Sequence, residues 1–144
     1  MTRLAMLVMA VTVAGCGDGR TPTAPSPPPP AQIAGNWVGT FTYTPASGGQ
    51  RTIVAVTASF TQAGGQVTGQ VNITGGSLLV VSGVVDRATL TATVQYSAPA
   101  PSPCTGTASI SGTVSSTQVR FVIPSIASGS GCTFFTNGEF VLTK

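Results

Sequence analysis

Three cysteines, three carboxylates and no histidine make a short catalytic inventory for this 144-residue chain. Without an imidazole, neither a Ser-His-Asp nor a Cys-His apparatus can be assembled. Of the carboxylates, Asp18 lies near the start, so Asp86 and Glu139 form the one pair available to a glycosidase-type mechanism. Their settings argue against it. Asp86 stands before Arg87 in an expected turn, where an aspartate serves local hydrogen bonding. Glu139 falls in an expected strand, facing water or paired with Arg51 or Arg120, a contact worth little if exposed. Two cysteines without histidine make a poor metal site, so no metal and no cofactor is expected. The formal charge of +3 includes Arg3, and the other basic residues are scattered, not striped, which argues against nucleic acid. The expected role is non-enzymatic.

The first cysteine has a context of its own. Met1-Thr2-Arg3 is a short basic start, and the apolar run Leu4 to Ala14 is about a dozen residues long, too short for a bilayer span of roughly 20. A basic start, a brief apolar run and small residues before a boundary make a secretory signal. The run ends in Val13-Ala14-Gly15-Cys16, which resembles the lipobox of bacterial lipoproteins. The resemblance covers the first sixteen residues and implies cleavage before Cys16, with acyl chains such as palmitate on the new N-terminus. One acyl chain holds a protein marginally, whereas two or more make a stable anchor at about 0.8 kcal/mol per buried methylene. It also implies a cell-envelope location. In enterobacterial lipoproteins an aspartate directly after the cysteine favours inner-membrane retention; Gly17 occupies that place here and Asp18 follows, which favours an outer membrane where one exists. The alternatives are an ordinary secretory signal with a chance cysteine, or an uncleaved anchor.

Residues 1–15 are thus read as a signal peptide and 16–31 as a lipid-anchored tether. The tether is crowded with proline, which removes amide donors and fixes φ. Extended polyproline II gives it a reach on the order of 45 Å. A ligand for SH3-type domains is the other reading of such a stretch, and a spacer fits an exported protein better. An odd cysteine count in an exported protein needs accounting for. Lipidation of Cys16 leaves Cys104 and Cys132 to pair, closing a loop of about 28 residues and adding roughly 3–4 kcal/mol. Two free thiols are the alternative.

Residues 32–144 form one domain in which alternation of apolar and hydroxyl residues is the ruling pattern. It predicts eight strands: 33–44, 51–62, 66–74, 77–85, 88–96, 104–114, 117–123 and 132–143. In the first, Trp37, Phe41 and Tyr43 share a face; in the second, Val54, Val56 and Phe60; in the fifth, Leu90, Ala92, Val94 and Tyr96. The fourth is apolar on both faces and is expected to be covered on both. Gly75-Gly76 predicts a turn that needs positive φ. Short loops favour an antiparallel up-and-down meander of about eight strands, all-β, closing or nearly closing into a small barrel that removes exposed edges. A β-sandwich is the alternative. Gly69, Gly83 and Gly112 stand in a shared apolar-hydroxyl-Gly-x-Val pattern and are expected to mark bulges or sharp bends.

Gly35-Asn36-Trp37, at the opening of the first strand, resembles the signature of calycin barrels, the lipocalin and avidin relatives. That resemblance implies that Trp37 closes one end of a barrel. A small barrel with one disulfide is also similar to periplasmic metalloproteinase inhibitors, whose N-terminal segment blocks the protease. The candidate ligand contacts or plug residues are Trp37, Phe41, Tyr43, Phe60 and Tyr96. The expected function is a lipid-anchored binding module for a small apolar ligand or an envelope protein, or a structural lipoprotein with a solid core. Thr89, Thr91 and Thr93 form a hydroxyl ladder of the sort seen in arrays that bind ordered surfaces, although one strand is not an array and a solvated face explains it.

Overall fold

In the domain, side chains that alternate in sequence alternate between the inside and outside of one closed wall. A computed structural model describes residues 24–45, 48–98, 104–125, 127–128 and 135–144. The leader, Cys16 and Cys132 lie outside the described residues. The described residues are all-β. Eight long strands follow one another as β1 (Gly35–Pro45), β2 (Thr52–Ala63), β3 (Gln66–Ile73), β4 (Ser77–Asp86), β5 (Thr89–Ala98), β6 (Cys104–Val114), β7 (Gln118–Ser125) and β9 (Phe135–Thr143), with the two-residue β8 (Ala127–Ser128) before the last.

Each strand pairs antiparallel with the next, and β9 returns to β1, so the meander closes into a barrel and not a sandwich. The ladders offset one another so that one circuit of the ring advances about ten residues along β1, the stagger that tilted strands need to close. β8, which falls where the sequence predicts a turn, pairs with Gly106 and Thr107 of β6 one residue out of register with β7. It thereby extends the wall beside β6 after β7 has turned to β9 alone.

The turns set the registers. Gly64, Gly75 and Gly76 have positive φ, as does Arg87 at 53°, so the tight connections have the backbone hand that matches strand twist. The strand glycines act differently. Pairing runs without interruption through Gly69, Gly83 and Gly112, so the expected bulges are absent there. Instead, a Cβ built on Gly69 would lie closer than 3.0 Å to the Ser59 carbonyl, one on Gly83 to that of Thr91, and one on Gly112 to that of Arg120. These glycines let a neighbouring strand fold over them, which is how a narrow ring coils tightly. The one register shift described is between Thr42 and Thr44 on the β1–β9 ladder.

β4 departs from expectation. Leu79, Val81 and Val85 are buried, but Val80 and Val84 are 39% and 40% exposed. The strand is covered on one face only, because a closed single-layer wall has no second layer to lay over its outside. The core is the barrel interior.

Candidate functional site

The interior is built from large apolar side chains that meet across the registers. Phe41 of β1, Phe140 of β9 and Phe121 of β7 are cross-strand partners. Their rings stack in sequence, with centroids 4.2 Å apart for Phe41–Phe140 and 4.6 Å for Phe121–Phe140. Phe135 packs edge-on against Phe41 at 5.1 Å, and the half-buried Tyr43 stacks on Phe41 at 5.0 Å. Phe60 and Tyr96 are buried elsewhere on the wall, and the Tyr96 hydroxyl donates to Ser77 Oγ at 3.0 Å. No polar or charged residue among those described is buried. Ligand cavities fix their contents with a few placed polar groups, and this core has almost none. Of the five aromatic candidates, the structure stacks Phe41 and Tyr43 together and buries Trp37, Phe60 and Tyr96. Phe121, Phe135 and Phe140, which complete the column, were not among the candidates, although Phe121 and Phe140 stand at alternating apolar positions in their strands.

One end of the barrel is closed by the chain that leads into β1. The sequence pattern puts Ile33 in the first strand, but it precedes the strand and is fully buried as a plug. Gln62, near the β2–β3 turn, clamps this strap: its Oε1 accepts from the Ile33 amide at 2.7 Å, and its Nε2 donates to the Ala31 carbonyl at 3.0 Å. The Ala31 amide donates to the Arg87 carbonyl across the same end. Trp37 lies beneath, 1% exposed, its indole N–H donating to the Ile33 carbonyl at 2.7 Å. The Lys144 ammonium sits 4.7 Å from the indole centroid and donates to the Ala34 carbonyl. Trp37 thus lies at the strap end of the barrel, with the Ile33 carbonyl and the Lys144 ammonium as its polar partners.

The carboxylates are far apart in the ring. Asp86 ends β4 at the β4–β5 turn, and Glu139 sits on β9, the strand diametrically opposite. Glu139 is outward-facing, hydrogen-bonded to Arg120 of β7, with Arg51 Nη2 at 3.9 Å. Both arginines are more than half exposed, so these ion pairs add little to stability. Among the described residues there is no cluster of potential metal ligands.

Cys104 is buried where β6 begins. β6 and β9 start at the same end, away from the strap, with β7 between them. The outside of the wall has relief of its own. Two shallow concavities bounded by described residues lie there, one of about 380 Å³ at Val80, Gln95, Ser97, Thr105 and Thr107, the other of about 430 Å³ at Ser59, Thr61, Thr68, Gln70 and again Val80. No protein-family model, curated protein or solved structure matches the chain.

Proposed function

We infer that this chain is a lipid-anchored lipoprotein of the cell envelope whose non-catalytic barrel domain meets its partner on the outside of its strands. The observation that carries the second half is the interior: a column of stacked phenylalanines with no buried polar residue among those described. An apolar core of stacked rings favours the structural alternative over a lipocalin-like cavity and leaves the outer surface for recognition. The anchor rests on the Val13-Ala14-Gly15-Cys16 motif and on the proline-rich stretch that follows. That stretch leads to the strap, so the plugged end of the barrel would sit toward the membrane. Pairing of Cys104 with Cys132 belongs to the same reading, since an exported domain of this size benefits from a cross-link.

Mass spectrometry of membrane-extracted protein tests the anchor. The expected N-terminus is Cys16 carrying acyl chains, and Cys16→Ser should release the protein from the membrane fraction. An unmodified Cys16 on membrane-bound protein would overturn it. The solid interior has a separate test. Fatty acids, sterols and aromatic dyes should leave both Trp37 fluorescence and the melting temperature unchanged. A ligand held in the core at 100 times its Kd would instead add about 2.7 kcal/mol of stability.

A further inference from the structure

The outer wall of β2–β6 carries a pattern that only the registers reveal. Ser59, Gln70, Val80, Gln95 and Thr107 are successive cross-strand partners, one per strand, in a single row across five strands. The adjacent row is Thr61, Thr68, Ser82, Thr93 and Ser109, a hydroxyl from every strand. With strands about 4.8 Å apart, each row is on the order of 19 Å long. Of the expected ladder Thr89, Thr91 and Thr93, Thr93 belongs to the second row, and Thr91 and Thr89 lie further along β5 opposite Val84 and Asp86. In the first row, Val80 is shared by the two concavities, and the glutamines stand on either side of it. Neither row contains a charged residue: Asp86 ends β4 and Arg87 follows in the turn at the strap end, and Arg51, Arg120, Glu139 and Lys144 lie outside β2–β6. The middle of the wall, across five strands of eight, therefore presents amides and hydroxyls without charge, in a chain of which 6% is charged.

We propose that the row Ser59–Gln70–Val80–Gln95–Thr107 and the hydroxyl row beside it form a binding site for a neutral polysaccharide. The chemistry matches on three counts. A neutral glycan offers no charge to neutralise, and the two rows have none to desolvate. Amide and hydroxyl groups donate to and accept from sugar hydroxyls, and Gln70 and Gln95 are exposed on the wall, beside the Thr61 and Thr68 hydroxyls that bond each other at 2.9 Å. Val80, 39% exposed between the two amides, gives an apolar patch for the C–H face of a sugar ring. Curvature separates this partner from a rigid ordered surface such as ice. A convex barrel wall meets a plane along few strands, whereas a flexible chain follows the wall through both concavities.

The proposal rests on the outer-surface reading above and is tested apart from it. Detergent-extracted full-length protein is run through native gels cast with dextran, galactomannan or hydroxyethylcellulose, and beside them polygalacturonate. Retardation by at least one neutral polymer is expected, unchanged by added salt because no ion pair is involved. Gln70→Ala combined with Gln95→Ala should weaken retention at least tenfold. Val80→Glu, a second exposed change, should do the same, with melting temperatures near wild type. Thr40→Ala, on β1, should leave retention unaltered. Absence of retardation by all three neutral polymers would overturn the proposal, as would retention indifferent to the glutamine pair, equal loss in Thr40→Ala, or adsorption to ice alone. A chain that is lipidated and indifferent to apolar ligands, yet not retained by glycans, would sink this site and leave the outer-surface reading standing.

Discussion

Phe140→Ala is expected to destabilise the domain by about 3–5 kcal/mol, the usual cost of emptying a buried aromatic site. Phe140 is fully buried and is the middle ring of the stack, in contact with Phe41 on one strand and Phe121 on the other. Its loss removes two ring–ring contacts and leaves a void between strands that backbone pairing holds in place, so the wall cannot collapse to fill it. Against the roughly 5–15 kcal/mol of a typical domain, such a loss brings the fold close to its limit. Urea titration followed by circular dichroism should show the midpoint fall sharply, and the melting temperature should drop on the order of 15–25 °C. Phe140→Leu, which keeps most of the volume, should cost far less. Val122→Ala, on an outward-facing residue that is 42% exposed, should stay within about 0.5 kcal/mol of wild type. Equal, small effects at positions 140 and 122 would mean that the aromatic column does not hold the barrel together.

The second large effect is expected from reduction of exported protein. Peptide mapping without reductant should recover Cys104 and Cys132 in one cross-linked fragment, and reduction should lower stability by roughly 3–4 kcal/mol. β6 and β9 are not hydrogen-bonded to each other, since β7 lies between them. A covalent link from Cys104 to the chain leading into β9 therefore spans a neighbouring strand and ties together segments that the sheet alone joins only through β7. Free thiols at both positions in exported material would refute the pairing.

Strands and turns were legible in the sequence because both rest on local chemistry. Period-two alternation located the eight long strands, with bounds shifted by at most two residues in the first seven and the expected start of the last, at 132, outside the described residues, and Gly75-Gly76 turns the chain with positive φ as its composition requires. What escaped the sequence depends on neighbours remote along the chain. Ile33 continues the apolar alternation of β1, yet Gln62, 29 residues on, captures its amide and holds it across the barrel end. Val80 and Val84 look like core residues on hydrophobicity alone; their exposure follows from the absence of a second layer. The glycines in the strands carry the same local signal for a bulge as for a close approach, and the facing carbonyl decides between them. The neutral rows of the outer wall were legible least of all. Each contributes one residue per strand, so no window of sequence contains a row.

The strap has a mechanical meaning. A pull on the chain before Gly35 first meets the few hydrogen bonds of Ala31 and Ile33, which can yield one after another and give slack. It then reaches β1 end-on, along its axis, where pairing extends to β2 from Gly35 to Tyr43 and to β9 from Val38 to Pro45. Force in that direction shears two ladders at once, so their hydrogen bonds share the load instead of unzipping in turn. Drag on anything held by the far wall would pass to the chain before Gly35 through the direction in which a sheet is stiffest.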